Sequence, residues 1–410
     1  MCSNLEDDIP VALAKLKLDS LQYCKKCQGK PFVVLQRKDV FCRDCFYEYC
    51  SHKFRSTIGK SRKVKPGDQV LIAFSGGASS SAMIDLIKDG LTKPNDHKKL
   101  LFQPTILYIR ELNYINEDDN VIRTKEQEII DKLVESNLPV IVSSIEMFYQ
   151  EDDLPKFVNL SDYIDHTKEN PVNCDKCRSK LTDKIVSITT DTGKEDLIRI
   201  IKQQLIQQIA SQSNFKYIFL GNTSTKTAIQ MFTDLALGKG SQITSEHSFI
   251  DNRFSVEILK PMREFIKKEI TFWNIMRGIK STEWSTITTI KGTKSSLTKL
   301  TENYINGLEH DFPATVYTIF KTGNKLKHPD PNGFKCLMCQ SLIDLESKCS
   351  AANALQLSHQ LSKNLPPEED NQNAKNLCYS CNNLASEMRQ QFVNQSNSTP
   401  SKLGIDKYLL

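Results

Sequence analysis

Long hydrophobic segments are absent from this sequence of 410 residues. The longest strongly apolar run covers only residues 70–74, whereas a transmembrane helix needs about 20 such residues. Glu6, Asp7 and Asp8 stand near the amino terminus, where a secretory signal would be basic and then apolar, and a mitochondrial presequence rich in arginine. We therefore expect a soluble cytoplasmic protein with no membrane partner.

A strong charge excess is also missing. The chain carries 54 Lys and Arg against 49 Asp and Glu, which gives a formal net charge of +5 at pH 7. This mildly basic balance permits a local surface for nucleic acid but does not require one. The length suggests two to four folding units.

Cysteine, by contrast, is frequent, and its spacing is informative. Ten of the 13 cysteines stand in five C-x-x-C pairs. Disulfides are rare in the cytoplasm, so clustered pairs indicate metal ligands first. Two groups of four suit closed tetrahedral sites, for which we expect structural zinc; buried cysteines without metal are the alternative. The predicted ligands are Cys24, Cys27, Cys42 and Cys45 in the first site and Cys336, Cys339, Cys378 and Cys381 in the second.

The fifth pair, Cys174 and Cys177, has no second pair near it in the sequence. Lys176 and Arg178 favour the thiolate form of these cysteines. Redox activity, a share in a metal or cluster site, and no function at all are the three interpretations that the residues leave open.

Short apolar runs alternate with amphipathic segments between residues 69 and 278. This alternation predicts an α/β fold in which a parallel sheet carries helices on both faces. The predicted strands are 69–74, 104–109, 140–144, 216–220 and 256–259. The predicted helices are 79–91, 121–135, 195–210, 225–237 and 264–275, with weaker ones at 297–308 and 313–322.

The chain is predicted to have five parts. The α/β domain occupies residues 69–278 and is followed by a helical linker region at 279–328. A four-cysteine module precedes it at 1–52, with a basic connector at 53–68. The second four-cysteine module, at 329–410, includes the acidic, proline-containing insertion 365–371, which we expect to be disordered.

The first predicted strand leads directly into residues 75–81, which read S-G-G-A-S-S-S. Glycines let backbone amides approach an anion, serines add hydroxyl donors, and the following helix adds the positive end of its dipole. From these residues alone, a phosphate-binding loop and an ordinary helix N-cap are equally open. The candidate nucleotide-binding residues are Ser75, Gly76, Gly77, Ser79 and Ser80.

The connector carries six Lys and Arg among residues 53–65. Such a run is typical of a solvated linker or of a surface that binds RNA phosphates. The candidate RNA contacts are Lys53, Arg55, Lys60 and Arg62.

Together these features resemble the cytoplasmic tRNA 2-thiolation protein 2 family, within the PP-loop ATP pyrophosphatases. The loop at 75–80 is similar to the S-G-G-x-D-S loop of that superfamily. The terminal cysteine groups, K-F-R at 53–55, G-N-T-S-T at 221–225 and L-T-K-L-T-E at 297–302 extend the resemblance over essentially the whole chain.

The resemblance implies an adenine-nucleotide α-hydrolase-like sheet between two zinc-ribbon-like modules. It implies a heterodimer with a catalytic paralogue, cytoplasmic tRNA 2-thiolation protein 1. Such a complex converts the wobble uridine, position 34, of lysine, glutamine and glutamate tRNAs to 2-thiouridine. ATP activates the uridine as an adenylate, and a thiocarboxylated ubiquitin-like carrier supplies the sulfur.

This sequence departs from the catalytic pattern at three places. Ser79 stands where the loop pattern has Asp, and Thr225 and Lys226 stand where the paralogue has an acidic pair. Carboxylates there help to hold Mg²⁺ on ATP, which a lysine cannot do. Cys174 and Cys177 match the paralogue's active-site pair, but no third cysteine follows in 273–284. We therefore predict a weakened or non-catalytic subunit that binds tRNA, with ATP as a candidate ligand and no iron–sulfur cluster.

Two alternatives stand beside this interpretation. The chain could be a competent ATP-dependent sulfurtransferase with Cys174 and Cys177 as its catalytic residues. It could also be a zinc-scaffolded RNA-binding adaptor whose sheet has no nucleotide.

Overall fold

The structure is a computed structural model that describes ten parts of the chain. The acidic residues 6–8 and the insertion 365–371 lie outside them. The described residues are 23–35, 39–94, 99–111, 119–150, 157–165, 174–282, 296–326, 334–343, 358 and 377–395.

The amino-terminal part is a hairpin followed by a long helix. Strands β1 (Val33–Leu35) and β2 (Asp39–Phe41) pair antiparallel, and helix α1 (Arg43–Ser61) follows. The helix buries one face against the central domain, with Phe46 and Phe54 fully enclosed. It continues through the predicted boundary at 52/53, so the first half of the predicted basic connector is helical.

The central domain alternates strands and helices. Its first half contains β3 (Gln69–Phe74), α2 (Ala78–Thr92), β4 (Gln103–Arg110), α3 (Asp119–Glu135), β5 (Val140–Ser144), β6 (Val158–Asn159), α4 (Leu160–Asp165) and α5 (Asp175–Val186). Its second half contains α6 (Asp191–Gln212), β7 (Tyr217–Leu220), α7 (Ser224–Ala236), α8 (Ile243–His247), β8 (Ile250–Asp251), β9 (Glu257–Leu259) and α9 (Lys267–Arg277).

These strands form one seven-stranded sheet in the order β6-β5-β4-β3-β7-β9-β8. The five inner strands are parallel, which confirms the predicted sheet, and each coincides with a predicted strand to within about one residue at either end. Both edge strands are antiparallel and only two residues long. The sequence does not predict these edge strands, because two residues are too few to show a pattern.

Alternation along β3 divides the core between the two faces of the sheet. Leu71 points into a cluster that contains Leu197 and Ile201 of α6. Ile72 points into the opposite cluster, which contains Met83 of α2 and Trp273 of α9. Both faces are therefore covered by helices, as predicted.

The carboxyl-terminal part packs on this frame. It contains α10 (Leu297–Asp311), α11 (Thr315–Gly323), β10 (Phe334–Lys335), β11 (Leu342–Ile343) and α12 (Tyr379–Gln395). Helices α10 and α11 lie against α7. The four cysteines of the second group belong to the same apolar cluster as α6, so this module shares its core with the α/β domain.

A buried ion network joins the carboxyl-terminal module to the sheet. Arg253 lies 3.1 Å from Glu246 and 2.8 Å from Asp251, measured between nitrogen and oxygen atoms. The same guanidinium donates to the Ser341 hydroxyl at 2.9 Å, next to the second cysteine group. Arg199 of α6 approaches the other oxygen of Glu246 at 2.8 Å.

These contacts set the ionisation of Glu246. Burial alone would raise its pKa, but Arg253 and Arg199 outweigh burial and hold the pKa well below the ordinary value of 4.5. A carboxyl whose pKa is lower in the folded state adds stability above pH 4.5, and this stability is lost as the pH falls through the folded-state pKa.

We therefore expect Glu246→Gln to lower the free energy of unfolding at pH 7 by about 3 kcal/mol, because it leaves buried cations without their partner. The difference in unfolding free energy between Glu246→Gln and the native chain should shrink progressively below pH 4.5. Urea unfolding between pH 7 and pH 3.5 measures both effects. Glu257→Gln, which breaks a more exposed pair with Lys63, is the matched control and should cost under about 1 kcal/mol. Equal losses of unfolding free energy in Glu246→Gln and Glu257→Gln would contradict this stabilising role of Glu246.

Candidate functional site

The Ser/Gly loop lies at the carboxyl edge of the parallel sheet. Ser75, Gly76 and Gly77 connect the end of β3 to the start of α2. Because β3 lies between β4 and β7, the loops that follow those two strands flank it. Ligands of open α/β sheets bind at this edge, so the position agrees with a binding loop.

Gly76 has a conformation that requires glycine. Its φ is +79°, and a Cβ atom there would lie 2.9 Å from Cδ1 of Ile129 on α3. The backbone amide of Thr282 donates to the Gly76 carbonyl at 3.0 Å. The loop is therefore held in one shape from the α3 side, and its backbone passes directly into the first turn of α2.

The serines of the loop have different surroundings. Ser80 is buried; its hydroxyl donates to the Gly77 carbonyl at 3.0 Å and lies 3.4 Å from the backbone amide of Ser75. Ser75 is exposed and Ser79 is half-buried. Ser80 thus maintains the shape of the loop, while Ser75 is the member most open to a ligand.

The loop after β7 packs against this segment. A Cβ atom on Gly221 would lie 3.4 Å from Cα of Ser80, so the two loops are in van der Waals contact. Thr223 caps α7 by accepting from the amide of Lys226. Thr225 accepts from the amide of Lys267 at 3.2 Å, which fixes the start of α9. Thr225 stands where the catalytic pattern has one of its acidic residues, and here its hydroxyl makes a structural contact.

Cys174 and Cys177 lie together at the start of α5, where they form a disulfide. Cys174 caps the helix by accepting from the Cys177 amide at 3.2 Å. Cys177 is buried in the core next to the short 3-10 helix Ile145–Tyr149. Among the described residues, the pair belongs to neither of the two groups whose atoms could surround one metal ion.

Both predicted four-cysteine groups are assembled. Within each group the four sulfur atoms lie within 4.8 Å of one another. The Sγ atoms of Cys27 and Cys42 are 3.4 Å apart, and those of Cys339 and Cys378 are 3.7 Å apart. A tetrahedral zinc with Zn–S bonds of about 2.3 Å would separate its sulfurs by about 3.8 Å, so both groups fit zinc.

The predicted RNA contacts do not form one surface. The ammonium of Lys53 is 2.8 Å from a carboxylate oxygen of Glu269 in α9 and lies over the ring of Tyr49. Its positive charge is therefore compensated within the protein. Arg55 donates to the Ser51 carbonyl one turn earlier. Lys60 and Arg62 are exposed at the end of α1.

The end of α1 lies at the opposite edge of the sheet from the Ser/Gly loop. Lys63 pairs with Glu257, the first residue of β9, and its carbonyl accepts from the Tyr217 hydroxyl at the start of β7. The length of β3 therefore separates Lys60 and Arg62 from the loop by roughly 20 Å, at about 3.3 Å per residue.

Zinc content tests the cysteine groups. The native chain should contain two zinc ions, and Cys24→Ser and Cys336→Ser should each contain one, because three thiolates hold the ion less firmly than four. Elemental analysis of purified protein gives the ratio. Cys50→Ala, which removes a buried cysteine outside both groups, should keep two. Two ions retained by Cys336→Ser would reject the second site.

The positive φ of Gly76 gives a second test. Gly76→Ala should lower the free energy of unfolding by about 1–2 kcal/mol, since an L-residue disfavours positive φ. Gly307→Ala is the control: it lies within α10 with no atom within 4 Å of the added Cβ. That change should stabilise the chain by about 0.5–1 kcal/mol. A stability of Gly76→Ala equal to that of the native chain would mean that the loop relaxes easily.

Comparison with known proteins indicates the family to which this chain is related. Residues 296–383 match the model of the family described as cytoplasmic tRNA 2-thiolation protein 2. The protein of that name from Danio rerio is 30% identical over 391 residues, which cover 83% of this chain and 76% of the relative. The Homo sapiens relative is 28% identical and covers 84% of this chain and 77% of its own length.

Among solved structures, the U34-tRNA thiolase NcsA from Methanococcus maripaludis aligns with a TM-score of 0.55. The alignment covers 85% of this chain and 98% of NcsA at 14% identity, which shows a shared fold. None of the helices in the described parts of the chain combines the length and the apolar composition that a membrane span requires. The identity to the Danio rerio relative, over most of both chains, shows that this chain belongs to the cytoplasmic tRNA 2-thiolation protein 2 family.

Proposed function

We propose that this chain is the non-catalytic subunit of a cytoplasmic complex that converts the wobble uridine of lysine, glutamine and glutamate tRNAs to 2-thiouridine. Membership in the family and the thiolase fold support the thiolation role. The catalytic subunit in this proposal is the paralogous cytoplasmic tRNA 2-thiolation protein 1. It would adenylate the uridine with ATP and transfer sulfur from a thiocarboxylated ubiquitin-like carrier.

One observation supports the non-catalytic assignment above the others. The loops after β3 and β7, at 75–80 and 221–226, meet at the carboxyl edge of the sheet and contain no carboxylate. Mg²⁺ on a nucleotide prefers carboxylate oxygens as ligands. Here Ser79 has a hydroxyl and Lys226 has a positive charge, so these two loops lack the carboxylates that would hold the metal during adenylation.

The tRNA contact is assigned to Lys60 and Arg62, the exposed members of the predicted basic set. Their distance from the Ser/Gly loop suits a large ligand, because a tRNA extends far beyond 20 Å. We infer that they bind phosphates of the tRNA body, while the anticodon reaches the catalytic subunit. Lys53 contributes by fixing α1 to α9 through Glu269.

A competent sulfurtransferase is the second candidate function. The observation that favours it is the proximity of Cys174 and Cys177, which form a redox-capable pair at a helix start. A chain of this kind would adenylate tRNA without a partner and would lose thiolation when Cys174 is replaced.

Reconstitution separates these candidates. The chain alone, the paralogue alone and their complex are each incubated with ATP, tRNA and the thiocarboxylated carrier. Pyrophosphate release reports adenylation, and retardation of tRNA in a mercury-containing gel reports thiolation. We expect both signals from the complex, neither from this chain alone, and full thiolation by a complex that contains Cys174→Ser. Adenylation by the isolated chain would reject the non-catalytic assignment, and no effect of the chain on its partner would favour an RNA-binding adaptor.

Charge removal tests the tRNA surface. Replacing Lys60 and Arg62 by Gln should weaken tRNA binding and reduce the slope of log affinity against log salt by about 2, one for each phosphate contact. Lys321→Gln removes an exposed lysine from α11 and should leave the slope unchanged. Fluorescence anisotropy with labelled tRNA at several salt concentrations measures the slope. Identical slopes for the two variants would exclude this surface.

A further inference from the structure

The two four-cysteine groups contain the same backbone turn. Residues 24–29 read C-K-K-C-Q-G in the first group, and residues 336–341 read C-L-M-C-Q-S in the second. In both turns the glutamine amide donates to the carbonyl of the first cysteine, at 3.0 Å for Gln28 and 2.8 Å for Gln340. Both glutamines have a positive φ, of 61° and 59°. A difference between the two sites therefore arises from their surroundings and not from the geometry of this turn.

The surroundings of the second turn are apolar and closed. Its middle residues are Leu337 and Met338, and Met338 is only 1% exposed. All four cysteines of this group are buried, Cys336 and Cys381 completely. Leu384 of α12 and the core residues of α6 belong to the same apolar cluster. Protein atoms of the described residues therefore separate these sulfur atoms from solvent.

The first turn projects into solvent. Its middle residues, 25–26, are lysines, and both are exposed. Cys27 is exposed as well, and Cys45 is half-buried. The sulfur of Cys27 lies 3.4 Å from that of Cys42. A molecule that reaches the Cys27 sulfur from solvent is therefore next to the place where a zinc ion would be held.

Metal exchange depends on access to the ion. A chelator removes zinc by replacing the thiolates one after another, and the protein shell around a site controls how solvent and solutes enter it. Reagents that attack sulfur are selective in the same way, because the reactivity of a cysteine depends on its exposure. Cys27 offers both routes in the first group. In the second group the module must open first, and its cysteines share their core with α6.

We propose that the amino-terminal four-cysteine group is an exchangeable metal site, at which chelating molecules and thiol-directed electrophiles react first at Cys27. The carboxyl-terminal group keeps its ion under the same conditions. The first site thus responds to zinc supply and to electrophiles, whereas the second serves the structure alone. This inference goes beyond the proposed thiolation role and does not depend on it, since it rests on the exposure of the two sets of sulfur atoms.

Release of zinc from the full chain tests the proposal. Protein that contains two ions is mixed with excess EDTA, and elemental analysis gives the zinc that remains on the protein at successive times. We expect two phases of equal amplitude whose rates differ by about tenfold or more, the scale on which the groups around a site change metal affinity. Cys336→Ser, which keeps the first ion, should lose it in the fast phase, and Cys24→Ser should lose the second ion in the slow phase. A single phase, or the opposite assignment of the phases, would overturn the proposal.

Alkylation of the native chain identifies the reacting sulfur without any substitution. Addition of N-ethylmaleimide forms a sulfur–carbon bond, breaks the sulfur–zinc bond, and takes up one proton from water. Mass spectrometry of peptides at successive times should show Cys27 modified first among the eight cysteines of the two groups, and the second group about tenfold more slowly. Cys50 is the internal control, because it is completely buried in α1 outside both groups and reacts when the module unfolds. Modification of Cys50 or Cys336 as fast as Cys27 would overturn the proposal.

Discussion

The parallel pairing of β3 with both β4 and β7 is the constraint on which the candidate site depends. Leu71 is paired with Thr105 on one side and with Ile218 on the other. This register aligns the carboxyl ends of three strands that are far apart in the sequence. As a result, Ser75, Glu111 and Gly221 meet at one edge, where the amides of α2 point outward. Without that register the glycines would form an isolated turn with no flanking charges.

A buried ion pair and a buried hydrogen bond from a charged donor attach the two cysteine modules to this frame. Lys53 and Glu269 connect α1 to α9, and Arg253 connects the sheet to Ser341 near the second cysteine group. A buried charge without its partner is strongly destabilising, so each pair fixes the elements that contribute to it. The modules are thus fastened by polar contacts as well as by the cores that they share with the sheet. Metal binding and folding of the central domain are therefore expected to be coupled.

Local patterns explain which features could be predicted from the sequence. Residues 69–74 and 140–144 were predicted with the bounds that the structure has, because buried parallel strands are continuous apolar runs. The cysteine groups were predictable because C-x-x-C spacing is itself local. The internal pairing of Lys53 was not, since Glu269 lies 216 residues away and only the fold brings them together. The sequence likewise could not show that Lys60 and the Ser/Gly loop lie at opposite edges of the sheet, which depends on strand order.

Anion binding and metal binding make opposite electrostatic demands on the same edge. Carboxylates that hold Mg²⁺ would repel an unaccompanied phosphate, whereas an ammonium that attracts the phosphate would repel Mg²⁺. Loops 75–80 and 221–226 contain no carboxylate, so they do not meet the first of these demands. Gly76 meanwhile has a positive φ, and the Thr282 amide and the Ile129 side chain hold it in this conformation. Two loops without carboxylates at this edge agree with the non-catalytic role that we propose for this chain.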